Sequence, residues 1–144
     1  MAAADDLDRV IEQCQRALDE FVKGNPEPMQ EMFSHREDVS LANPFGPPAR
    51  GWDEVAATMD SAASNLRDGG MVAFEEVAKY VTPELAYTVW LERQKAKLGG
   101  RADVTPFTLR VTMIYRSEEG TWKVVHRHAD PMTTPRPAES IIQE

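Results

Sequence analysis

"LRVTMIYRSEEGTWKVVHRHAD", residues 109–130, decides the fold. Two runs of β-branched and aromatic residues flank the turn signal "SEEG", which reads as a β-hairpin. Working backwards, "MVAFEEVAKYV" (71–81), "ELAYTVWLERQKAKL" (84–98) and "DVTPFTLRVTMIYR" (103–116) share that character, with "TPE" and "GG" as separators. With "TWKVVHRHA" (121–129) they predict four long strands in an antiparallel meander.

The first half has a different period. Residues 5–23 place Leu7, Val10, Ile11, Cys14, Ala17, Leu18, Phe21 and Val22 at helical spacing, with Asp5 and Asp6 near the start and Gly24 past the last turn. "NPEPMQEMFSH" (25–35) offers Asn25 as a cap and Pro26 at the first position of a short helix. "DVSLAN" (38–43) reads as a short strand that stops at a turn rich in proline and glycine. "WDEVAATMDSAASNL" (52–66) follows as a third helix, ended by "RDGG". Helices first and strands afterwards predict an α+β domain, with helices on one face of a curved sheet.

The chain has 144 residues, 42% hydrophobic and 28% charged, the profile of one globular domain. A domain at 1–130 and a proline-rich C-terminal tail at 131–144 are expected. Net charge is −8, which argues against nucleic acid or an anionic membrane as partner, because phosphates need a basic face. No apolar run approaches the roughly 18 residues that mark a membrane-spanning helix, and the N-terminus lacks the pattern of a signal peptide. Cys14 is the one cysteine, so a cytoplasmic, disulfide-free protein is expected, with Cys14 as a packing residue.

The element order, "NPFGPPARGWDEVAA" (43–57) and the final hairpin together resemble the SnoaL-like, nuclear-transport-factor-2-like superfamily. The hairpin is also similar to the calcium/calmodulin-dependent protein kinase II association domain. The resemblance covers about residues 5–130. It implies a cone-shaped domain, with three N-terminal helices packed on a curved, mostly antiparallel sheet around a pocket. It also implies a homodimer paired through the sheet.

In ketosteroid isomerase, a member of that superfamily, an aspartate before "PFG" shuttles the proton while a tyrosine and a protonated aspartate hold the enolate oxygen. The matching positions here are Asn43, Ala17 and Thr112, so none of the three groups is present. An amide does not accept a proton near neutral pH, and the isomerase mechanism is excluded. Asn43 retains two roles: hydrogen bonding at a pocket wall, or capping the turn.

Alignment with the isomerase turns Tyr87, Val89, Leu91 and Arg93 inward on one strand, Thr108, Arg110, Thr112 and Ile114 on the next, and Val125, Arg127 and Ala129 on the last. Asn43, Tyr87, Arg93, Arg110, Thr112 and Arg127 are therefore the expected ligand-binding residues. Arg93, Arg110 and Arg127 would favour a small anion, since guanidinium binds carboxylates in bidentate fashion. The structural alternative pairs these arginines with Glu92, Glu118 or Glu119. Periodicity also puts Trp122 and Val124 on the face of His126 and His128, so both faces of the last strand read as apolar.

"HRHAD" places His126, His128 and Asp130 on one side of a strand, a pattern that two-histidine metal sites share. His35 is the only other histidine and no second ligand pair accompanies them, so no metal is expected. His128 and His126 are instead the expected acid/base groups. Two functions stay open. One is cofactor-independent acid/base catalysis of isomerase, dehydratase or cyclase type on a small molecule. The other is a non-catalytic ligand-sensing or oligomerisation module.

Overall fold

The computed structural model describes residues 4–143. The outer limits of the expected domain and tail, residues 1–3 and 144, lie outside that range. Three helices come first: α1 (Ala4–Phe21), α2 (Glu27–Met32) and α3 (Trp52–Ala63). Strands β1 (Ser40–Ala42) and β2 (Ala49–Arg50) flank the proline-rich turn. Strands β3 (Leu66–Val81), β4 (Leu85–Leu98), β5 (Thr105–Glu118) and β6 (Thr121–Asp130) form the meander.

The six strands make one sheet in the order β2-β1-β6-β5-β4-β3, antiparallel except where β1 runs parallel to β6. Helix α1 buries Leu7, Cys14, Ala17 and Leu18 against the sheet, on one helical face. Gly24 ends it at φ 98°, a conformation glycine adopts without strain. This is the expected α+β architecture with helices over one face of a curved sheet.

Two local corrections bear on the site. "RDGG" does not end α3 as a loop but lies inside β3, where the register shifts between Arg67 and Gly70. Further shifts fall between Met71 and Ala73 and between Glu76 and Ala78. Extra residues on one strand of a pair raise its twist and bend it, and this curls β3 around the helices. Second, Ala49 and Arg50 form a strand that the proline-rich context masked. Within the tail, Ala138–Ile141 form a 3-10 turn on the surface.

The inward face of two strands is the reverse of expectation. On β4 the buried set is Ala86, Thr88, Trp90, Glu92, Gln94 and Ala96. On β5 it is Val111, Met113 and Tyr115, continued by the partly buried Leu109. Side chains alternate across a sheet, so Tyr87, Val89, Leu91 and Arg93 share the outer face with Thr108, Arg110, Thr112 and Ile114. A shift of one residue moves every member of a strand together.

On β6 both sequence readings hold, each on its own segment. The pairing with β5 steps from Ile114–His126 to Tyr115–Val124, leaving Val125 as an extra residue. Before this bulge Trp122 and Val124 point inward, and after it Arg127 and Ala129 do. The bulge, not a second covered face, removes the conflict in the periodicity.

Candidate functional site: a cone closed by a buried ion pair

Between the helices and the concave face of the sheet lies a partly open cavity of about 290 Å³. Leu18 and Phe21 of α1, Met29 of α2, and Met59 and Ala62 of α3 form one wall. Leu66, Met71, Leu98, Phe107, Leu109 and Ala129 supply the sheet side. Asn43, Pro44, Phe45 and Pro131 also line it. Methionine suits irregular space because its unbranched chain adapts.

Besides Asn43 near the turn, three polar side chains interrupt this apolar lining: Glu92, Gln94 and Arg127. Glu92 and Gln94 are inward neighbours on β4, and Arg127 reaches them from β6 across β5. Arg127 Nη1 donates to Glu92 Oε1 at 2.7 Å and Nη2 to Oε2 at 2.8 Å, a bidentate pair. Trp90 Nε1 donates to Oε1 at 3.0 Å, and Gln94 Nε2 approaches Oε2 at 3.4 Å. The Glu92 side chain is 1% exposed and that of Arg127 11%. Burial disfavours the Arg127 cation, but the charge and hydrogen bonds of Glu92 more than offset this and raise its pKa.

Asn43 also lines the cavity and caps the turn at the same time. Its Oδ1 accepts the Phe45 N–H at 2.9 Å, and Gly51 N–H bonds Val39 O at 2.8 Å to close the loop onto β1. Gly51 has φ 83°, which explains glycine there.

The other site residues expected from sequence lie on the outer face of the sheet. Tyr87 stacks on Tyr80 with ring centroids 5.9 Å apart. Arg93 pairs with Glu75 at 3.3 Å, and Arg110 Nε with Asp130 Oδ1 at 2.8 Å. Thr112 is the cross-strand neighbour of His128. His128 Nε2 meets Asp130 Oδ2 at 3.0 Å, and His126 Nδ1 meets Ser40 Oγ at 2.8 Å. Arg110, Thr112, His128 and Asp130 border a groove there with Val77 and Leu91. Two of the three expected arginines are thus outside the cone, and the third is neutralised within it.

At the isomerase's second-aspartate level, the inward residues are Val111 and Met113, neither of which can hold an oxyanion. Glu92 and Gln94 are cavity residues that the alignment-based face assignment missed. A carboxylate and a carboxamide two residues apart on a strand, alternating with Leu91 and Arg93, were the available signal. Among the described residues, no group of three His, Cys, Asp or Glu side chains is placed to hold a metal ion.

The family described as "SnoaL-like domain" matches residues 10–134. The chain belongs to the SnoaL-like family. Among solved structures, this SnoaL-like chain is similar to a nuclear-transport-factor-2-like superfamily protein from Salmonella enterica serovar Typhimurium, at 16% identity. That match covers 94% of each chain with a TM-score of 0.76. A ketosteroid isomerase-like protein from Erwinia carotovora atroseptica matches at 17% identity, over 88% of this chain and 94% of that one, with a TM-score of 0.71. A candidate calcium/calmodulin-dependent protein kinase II association domain from Xanthomonas campestris matches at 12% identity, over 94% and 91%, with a TM-score of 0.69. No curated protein matches the sequence. These likenesses establish the nuclear-transport-factor-2-like fold of the SnoaL-like chain and nothing about its chemistry.

Proposed function

We propose that this SnoaL-like domain binds a small, mainly apolar organic molecule in its cone. One observation carries the reading: the apolar cavity is interrupted by a small set of buried polar groups, Glu92, Gln94 and Arg127. Pockets for small molecules combine those two features, burial for affinity and a few polar groups for orientation.

The same geometry favours binding over acid/base turnover. Both oxygens of Glu92 are engaged by Arg127, which makes it a charge-balancing group rather than a proton carrier. His126 and His128, the expected acid/base groups, face away from the cavity. A thermal-shift panel of neutral alcohols, ketones and lactones tests the reading, because a ligand that binds only the folded state raises the melting temperature by mass action. Ala62→Phe, which fills the cavity, is expected to abolish the shift. A shift that survives this substitution places the ligand elsewhere.

A second reading concerns assembly. The outer sheet face leaves Val77, Tyr80, Leu85 and Tyr87 exposed, which supports a homodimer paired through that face. Light scattering is expected to give twice the chain mass for the wild type and the single chain mass for Tyr87→Asp. A wild-type monomer at micromolar concentration contradicts this.

A further inference from the structure

We infer that the cone selects an uncharged ligand carrying a hydroxyl or carbonyl oxygen and rejects carboxylates, because Glu92 cancels the only cation the cavity contains. The inference rests on the reading of the cone as a ligand pocket and specifies what that pocket takes.

Among the cavity-lining residues only Glu92 and Arg127 carry charge, and they form a bidentate pair with near-equal bonds of 2.7 and 2.8 Å. The polar end is therefore net neutral. A carboxylate entering it would not meet a free guanidinium. It would place a second carboxylate beside Glu92 against one cation, leaving one uncompensated negative charge in an apolar enclosure. Burying an unpaired charge is among the costliest steps in recognition, and like-charge contact adds to it.

A neutral oxygen meets no such penalty. Gln94 is 3% exposed, lines the cavity and makes one hydrogen bond, at the long distance of 3.4 Å. A carboxamide has two donors and two acceptor lone pairs, so Gln94 retains capacity for both functions of a hydroxyl. The guanidinium offers five N–H groups; Glu92 engages two and Met113 Sδ lies 3.6 Å from Nη1, so a carbonyl or hydroxyl oxygen can still accept from a remaining N–H of Arg127 without disturbing the pair.

The test uses the full chain with cyclohexylpropanol and cyclohexylpropanoate, two probes of similar shape that differ in charge. Isothermal titration near pH 7 is expected to give an affinity at least about tenfold higher for the alcohol. Lowering the pH from about 7.5 to 6 should strengthen binding of the acid by about tenfold per unit, because only its protonated form enters, and leave the alcohol unchanged. This pH series needs no variant. Glu92→Gln, which frees the Arg127 charge, should reverse the preference, and Gln94→Leu should weaken the alcohol selectively. Equal or tighter binding of the carboxylate by the wild type, independent of pH, overturns the inference while leaving the pocket intact. Failure of both probes, and of the wider neutral panel, overturns the pocket reading itself.

Discussion

Arg127 on β6 reaches diagonally across Met113 of β5 to clasp Glu92 on β4, with both carboxylate oxygens engaged at 2.7 and 2.8 Å. The pair spans three adjacent strands and lines the cavity. It therefore bears on stability and, under the proposed function, on recognition.

Breaking the pair on one side leaves a buried charge alone. Glu92→Leu and Arg127→Met are each expected to destabilise the fold by about 3–5 kcal/mol, whereas the double variant recovers most of the loss. Urea denaturation of the four proteins in a double-mutant cycle measures this. Additive losses would show that the pair is not coupled.

Gly69 answers to space rather than conformation. A Cβ there would lie 2.3 Å from Val22 O and 2.7 Å from Lys95 O, both backbone atoms. Gly70, next to it, meets nothing nearer than Asp19 Oδ1 at 3.7 Å. Gly69→Ala should cost about 1–3 kcal/mol by overpacking, while Gly70→Ala stays near the wild type. Equal melting temperatures for the two variants would refute the close approach of Val22, just past α1, to the β3 bulge.

How much of this was legible in sequence differs by strand. The helical spacing of Leu7, Cys14 and Leu18 reads directly, because α1 buries one face and exposes the other. Strand β4 misleads, since its more apolar set, Leu85, Tyr87, Val89 and Leu91, faces outward. Its inner set includes Thr88, Glu92 and Gln94: Tyr115 satisfies Thr88, Arg127 and Trp90 satisfy Glu92, and Gln94 donates to Glu92. On β5 the alternation of Leu109, Val111, Met113 and Tyr115 does announce the inner face, and alignment to the isomerase obscured it. The β6 bulge left a readable trace: two apolar registers overlapping at Val124 and Val125. A single period cannot describe a strand that changes face midway.

Acid should unfold the protein in stages. Burial, reinforced by His128 and opposed by the bond to Ser40, lowers the pKa of His126 below its ordinary 6.5. The folded state then binds fewer protons than the unfolded chain, so stability is complete above about pH 6.5 and declines as pH falls through the lowered value. Asp19, whose carboxylate accepts the Met71 N–H, is lowered too and adds a second loss below about pH 4. His126→Gln should remove the upper part of the pH slope, and Asp19→Asn should reduce the lower part, to which the lowered Asp38, Asp68, Glu118 and Asp130 also contribute. Urea midpoints across this range distinguish the two, and an unchanged upper slope in His126→Gln would assign it to another group.

Cys14 has no exposed surface, and burial pushes its thiol up to about 12. The reactive thiolate is thus scarce and inaccessible in the folded state. Alkylation in native buffer should be slow and should accelerate with the fraction unfolded in denaturant. Rapid native labelling would contradict its place in the core.

The cavity itself is tested most directly by the methyl signals of its own methionines. Met29, Met59 and Met71 line the cone, whereas Met132 is surface-exposed on the tail. Titrating methyl-labelled protein with cyclohexylpropanol should shift the first three resonances together and saturably, and leave Met132 unmoved. Shifts confined to Met132, or none at saturating alcohol, would contradict a ligand-binding cone.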